Sequence, residues 1–233
     1  FQGNAFAQYF RNATPNPIAG GLNLLGYDAF TLGNHEFNFG PATFASMLGQ
    51  LEAPILGTLN LDDDGSYGFI NDNVEDYINL EVNGKKVTIF GLTNPRVYRY
   101  ELPTNIPGLT FHSLEEMGYD AISDIQAAET PDLFVGLTHM GYSPYGDEID
   151  SDEVLAQNVA GIDVLIGGHS HTFLDPAVMV SSATNPEGTL VAQAGRYALN
   201  LGKVNVGWVG GEIVLREGYL LPASEVAVDP DME

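Results

Sequence analysis

The sequence predicts an α/β domain built on a mixed sheet, and three observations carry that expectation. Strand-like apolar runs recur at Tyr77–Thr93, Asp132–Thr138, Ile162–Ile166, Thr189–Ala194 and Leu201–Leu221. Helix-compatible stretches alternate with strand-like ones, at about 15–25, 41–51, 114–128 and 151–160. Two glycine-bearing pairs, Asn83-Gly84 and Gly210-Gly211, sit inside the β-rich runs and mark hairpins.

Each element has a local reason. Asp28-Ala29-Phe30-Thr31-Leu32 is a short strand-like run that stops at Gly33. Pro41, directly after Gly40, suits the first turn of a helix, where no backbone N–H is needed. Ser113 is a plausible N-cap for the stretch 114–128, so the preceding His112 is read as structural. The acidic clusters Asp62-Asp63-Asp64 and Asp147–Glu153 lack the EF-hand pattern and are expected as solvated loops. No internal repeat or low-complexity linker divides the chain.

Composition excludes several function classes. Among 233 residues there are 8 Lys plus Arg against 31 Asp plus Glu, a net charge of −23. A chain so acidic is not expected to bind nucleic-acid polymers or anionic membrane surfaces, which require clustered basic residues. The 44% hydrophobic and 10% aromatic content is too rich for a disordered acidic segment. No apolar run reaches the length of a membrane span. Residues 1–10 have neither the basic start nor the apolar centre of a signal peptide. The absence of Cys removes disulfides, zinc–thiolate sites and thiol nucleophiles together.

The chemistry collects around histidine. Of the five His, four follow apolar runs: His35 in Gly33-Asn34-His35-Glu36, His139 after Leu133–Thr138, and His169 and His171 after Val164–Gly168. In open α/β sheets the carboxyl ends of strands form the ligand crevice. Neutral imidazole is the commonest metal ligand, and adjoining glycines let the backbone approach an ion closely. Asn34, His35, His139, His169 and His171 are therefore expected to converge in one cleft. Other candidates are weaker. Asn60 suits structural capping as well as binding, Asn12-Ala13-Thr14 is a common chance sequon, and Arg96 and Arg99 read as surface residues.

These motifs resemble the calcineurin-like metallophosphoesterases. Gly33-Asn34-His35-Glu36-Phe37, the strand-end His139 and Gly168-His169-Ser170-His171 carry the resemblance. Segments 26–40, 167–174 and 191–202 look like the branch of 5′-nucleotidases and 2′,3′-cyclic phosphodiesterases. The resemblance implies a four-layer α/β/β/α sandwich with two mixed sheets, residues 1–233 forming a partial catalytic domain, truncated at its N-terminus. Two earlier family motifs, Asp-x-His and Gly-Asp, are not in this sequence, and neither is a nucleoside-binding domain.

Carried over residue by residue, the family's roles make Asn34, His139 and His169 ligands of one metal and His171 a ligand of a second. His35 matches the catalytic histidine, with Asn38 beside it. Many 5′-nucleotidases have Asp where Asn38 stands; an Asn can orient the ring but adds no charge to it. The complete enzyme would hold two divalent ions, Zn or Mn, and this chain at most one, making it a weak catalyst. Its substrate would be a nucleotide or another phosphate ester, its setting periplasmic or extracellular. Two alternatives stay open: a thiosulfohydrolase of the same fold, and a binding remnant without catalysis.

Overall fold

The computed structural model describes residue 3, residues 5–145 and residues 149–225. Thirteen strands occur among them: β1 Phe30–Thr31, β2 Ile55–Leu56, β3 Leu61–Asp63, β4 Val74–Glu75, β5 Tyr77–Val82, β6 Lys85–Leu92, β7 Leu109–Phe111, β8 Leu133–Thr138, β9 Val164–Ile166, β10 Val178–Val180, β11 Thr189–Ala192, β12 Asn200–Val209 and β13 Glu212–Pro222. The largest sheet is six-stranded, in the order β10-β11-β9-β8-β6-β5. Its four inner strands are parallel and both edges run antiparallel, so the sheet is mixed, as expected. The sandwich implied by the resemblance is completed by smaller pieces: the parallel trio β1-β2-β4 and the antiparallel pairs β3-β7 and β12-β13.

Alternation along the inner strands sets the layers. Phe134, Leu165 and Val191 point to one face, packing with Ile122, Ile125, Leu155 and Ala156 of helices Asp120–Glu129 and Asp152–Asn158. Val135, Val164 and Leu190 point to the other, where Val204 and Val206 of β12 cover them. A second core gathers Phe37, Phe44, Ile55 and Phe111 around helix Gly40–Leu48 and the small parallel sheet. The two sheets meet at Gly91: a Cβ there would lie 2.3 Å from Leu56 Cβ and 2.8 Å from the Gly57 nitrogen.

Both expected hairpins form. Asn83 and Gly84 have φ of 52° and 74°, the left-handed pair of a type I′ turn, and Gly210 and Gly211 repeat the pattern. The helix expected over 114–128 is two pieces, Leu114–Met117 and Asp120–Glu129, because Gly118 at φ 83° breaks it. The helices expected at 15–25, 41–51 and 151–160 are found at Pro17–Leu25, Gly40–Leu48 and Asp152–Asn158.

The acidic clusters are not simply solvated. The Asp63 carboxylate accepts backbone N–H groups from Gly65, Tyr67 and Gly68 and shapes its loop. Asp147 lies outside the described residues, while Asp150 is buried and caps Leu114 N at 2.9 Å, and Asp152 is fully buried. In both cases backbone N–H groups or a hydroxyl needed an acceptor inside the fold, a demand that sequence position does not reveal. His112 is structural, as expected: its ring meets Asp62 at 2.8 Å, and Ser113 caps the next helix with Glu116 reaching back. Asn60 is likewise structural, bonding both ways with the Thr93 backbone.

Candidate metal centre

The first functional segment is a single 3₁₀ turn, Asn34–Phe37, directly after β1. Phe37 is fully buried against Phe44 and Phe111, so it anchors the turn to the second core. Glu36 is buried too, and its carboxylate accepts the Gly33 N–H at 2.8 Å. With Glu36 and Phe37 fixed inward, Asn34 faces the end of the sheet and His35 faces solvent.

His139 continues from β8, held by its N–H to Leu92 O at 3.0 Å. His169 follows β9 after the Gly167-Gly168 pair, with φ of 68°. His171 (57°), Tyr197 (59°) and Ala198 (52°) share this left-handed conformation. Such backbone costs on the order of 1 kcal/mol or more per non-glycine residue and concentrates at functional sites. Gln193, at the end of the β11 run, secures the loop. Its amide donates to Gly168 O at 2.9 Å and its oxygen accepts from Ser170 Oγ at 3.1 Å and from the Thr172 N–H. Sequence reasoning missed Gln193; its one signal is a polar side chain within Thr189–Ala194.

Three of the expected ligands meet at one point. Asn34 Oδ1 lies 3.1 Å from His139 Nε2 and 3.2 Å from His169 Nδ1, and the two rings are 5.4 Å apart. Glycines make this approach possible: a Cβ at Gly33 would stand 2.9 Å from His139 Nε2, and one at Gly168 2.7 Å from His139 Nδ1. Burial pushes the His139 imidazole down to about 3, opposed by the Glu36 charge and reinforced by His169 and His35. His139 is thus neutral, the form in which imidazole donates to a metal.

The remaining candidates have partners of their own. His171 packs its ring 5.7 Å from Tyr197. His35 shares Nδ1 with Asn38 Oδ1 at 2.9 Å, and Asn38 in turn donates to Glu101. Arg96 and Arg99 fall at the short helix Val97–Tyr100, whose Tyr100 ring sits 5.6 Å from His169. Tyr100, Met140, Pro144, Tyr145 and His169 border a cavity of about 520 Å³ open to solvent.

The donor set can be tested against a metal by its chemistry. Two imidazole nitrogens and an amide oxygen aimed at one point fit a single borderline ion such as Zn or Mn, with a position left for water or substrate. Among the described residues no group of three or more His, Cys, Asp or Glu is placed to hold an ion.

Comparison with known proteins bears on the family. The profile of the family "Calcineurin-like phosphoesterase" matches residues 3–173. The trifunctional nucleotide phosphoesterase protein YfkN of Bacillus subtilis is 32% identical over 216 residues, covering 79% of this chain and 14% of that protein. A 5′-nucleotidase of Diplobatis ommata is 28% identical, covering 99% of this chain and 40% of that one. Among solved structures, a 5′-nucleotidase precursor from Thermus thermophilus superposes with a TM-score of 0.75 at 27% identity, over 92% of this chain and 42% of its own. The chain thus spans less than half the length of each of these relatives.

Proposed function

The chain belongs to the calcineurin-like phosphoesterase family, and from that premise we propose that residues 1–233 form a metal-dependent catalytic domain that hydrolyses phosphate esters of nucleotides. The convergence of Asn34, His139 and His169 on one point carries the reading. These three would hold one divalent ion, and His171 would serve a second where further ligands complete it. Bound metal would polarise the phosphoryl group and supply hydroxide at neutral pH.

The protein's own part is positional. Asn34 and His139 are fixed by the buried turn and the end of β8, and His169 by the loop that Gln193 ties down. His35 stands one residue from Asn34, free of that donor cluster and exposed, so it can meet a phosphoryl oxygen through Nε2. Nucleotides are proposed because this chain is similar to the trifunctional nucleotide phosphoesterase YfkN and to 5′-nucleotidases. The same matches favour a phosphoesterase over the thiosulfohydrolase alternative.

A location outside the cytoplasm, periplasmic or extracellular, belongs to the same proposal. No helix among the described residues is long and apolar enough to cross a membrane. The deciding experiment is zinc or manganese titration followed by hydrolysis of AMP, 2′,3′-cyclic AMP and a chromogenic phosphodiester. Slow metal-dependent release of phosphate or alcohol is expected, abolished in His139→Ala. Turnover of a thiosulfonate instead would overturn the reading.

A further inference from the structure

We propose that Glu101 is a positioning residue for His35, acting through Asn38. This rests on the reading of His35 as the residue that meets the phosphate. Beside the imidazole the sequence offers only an amide, which brings it no charge. In the fold a carboxylate stands behind that amide, from a distant part of the chain. Asn38 Nδ2 donates to Glu101 Oε1, and Asn38 Oδ1 lies 2.9 Å from His35 Nδ1.

The order of these contacts is dictated by chemistry. An ionised carboxylate only accepts hydrogen bonds, so the amide must turn its NH₂ toward Glu101. Its oxygen then faces His35 and can only accept. His35 must therefore carry a hydrogen on Nδ1, leaving Nε2 as the atom that meets substrate. Without Glu101 the amide could turn over and donate to an unprotonated Nδ1, so either ring tautomer would fit.

The support behind Glu101 is built. Its backbone N–H closes the helix Val97–Tyr100 onto Val97 O at 3.0 Å. Asn105, from the turn Pro103–Asn105, donates both to Glu101 Oε2 at 3.3 Å and to Asn38 O at 2.8 Å. One side chain thus clamps the carboxylate and the backbone of its partner together. On the other side the His35 ring lies against Gly3, where a Cβ would come within 2.5 Å of its Cδ2. The ring is held between a glycine and an amide whose orientation a carboxylate fixes.

The test is ¹⁵N NMR of the histidine rings in the 233-residue chain, near pH 9, where imidazole is ordinarily neutral. It requires neither metal nor turnover, so it stands apart from the phosphoesterase assay. The Nδ1–H form of His35 is expected in roughly ten-fold excess, the hold of one good hydrogen bond. In Glu101→Ala that excess should fall to near parity or reverse, with the other histidine signals unchanged.

A carboxylate swap gives the second arm. Asn38→Asp places a group that can only accept against His35, and so removes the need for Glu101 to orient an amide. Asn38→Asp with Glu101→Gln should restore the Nδ1–H form, because Asp now accepts from His35 and Gln donates to Asp. If Glu101→Ala does not fold, Glu101→Gln takes its place: its amide can donate or accept, so the Nδ1–H excess should fall there too. An Nε2–H form in the unaltered chain, an unchanged ratio in Glu101→Ala, or no recovery in the double variant would overturn the proposal. A confirmed ring state with no phosphoester hydrolysis would leave it standing and remove the functional reading beneath it.

Discussion

Asp152 shows how a single residue can be misjudged from sequence. It belongs to an acidic run expected in solvent, yet it is fully buried, bonded to the Thr138 hydroxyl with its other oxygen unpartnered among the described residues. Burial pushes its carboxyl up from 3.8 to about 7, against the lowering effect of Thr138. Unfolded, the group ionises near pH 4; folded, it keeps its proton until near neutrality. The penalty on folding therefore grows from about pH 4 to about pH 7 and is full above that, on the order of a few kcal/mol. Asp152→Asn should be more stable than the parent at pH 8, with the gap closing toward pH 4, as thermal unfolding at both pH values will show. Gly33→Ala is the matching test at the ligands: its Cβ would press on His139, and zinc affinity by calorimetry should fall by roughly ten-fold or more.

At the scale of elements, glycines separate tight joints from open surface. Gly91 lies where β6 meets β2, and a methyl group there would collide with Leu56 Cβ and the Gly57 backbone. Backbone cannot swing aside as a flexible side chain can. Gly91→Ala should therefore cost about 1–3 kcal/mol in denaturant unfolding. Gly21 sits inside helix Pro17–Leu25 with nothing within 4 Å of its would-be Cβ. Gly21→Ala should stabilise the chain by about 0.5–1 kcal/mol through helix propensity. Equal effects at the two positions would show that the close approach of the sheets is wrong.

The whole molecule carries a charge of −23 against a small set of neutral metal donors. Self-repulsion across so acidic a surface weakens the compact state, and salt screens it. The melting temperature is expected to rise by several degrees between about 10 mM and 0.5 M sodium chloride. Two imidazoles and an amide supply no negative charge to balance a dication. Dialysed protein should retain at most one weakly bound metal equivalent by mass spectrometry, and His169→Ala should retain none. Two tightly held equivalents per chain would mean that further carboxylates complete the site.

What the sequence determined by itself was local and repetitive: alternating apolar runs, hairpin pairs, a proline at a helix start, and histidines placed after strands. Each depends on a few neighbouring residues, so each is legible in order along the chain. The motifs around Asn34, His139 and His169 carried the family, and their meeting followed once parallel β8 and β9 set two loops side by side and the turn after β1 of the smaller sheet packed against them. Tertiary structure alone decided contacts that join distant segments. Gln193 could not be tied to Gly168, nor Glu101 to Asn38 across 63 positions, because neither pairing leaves a periodicity or a spacing. The burial of Asp150 and Asp152 was equally hidden, since acceptors are drawn inward by backbone N–H groups and hydroxyls whose positions only the packed chain defines.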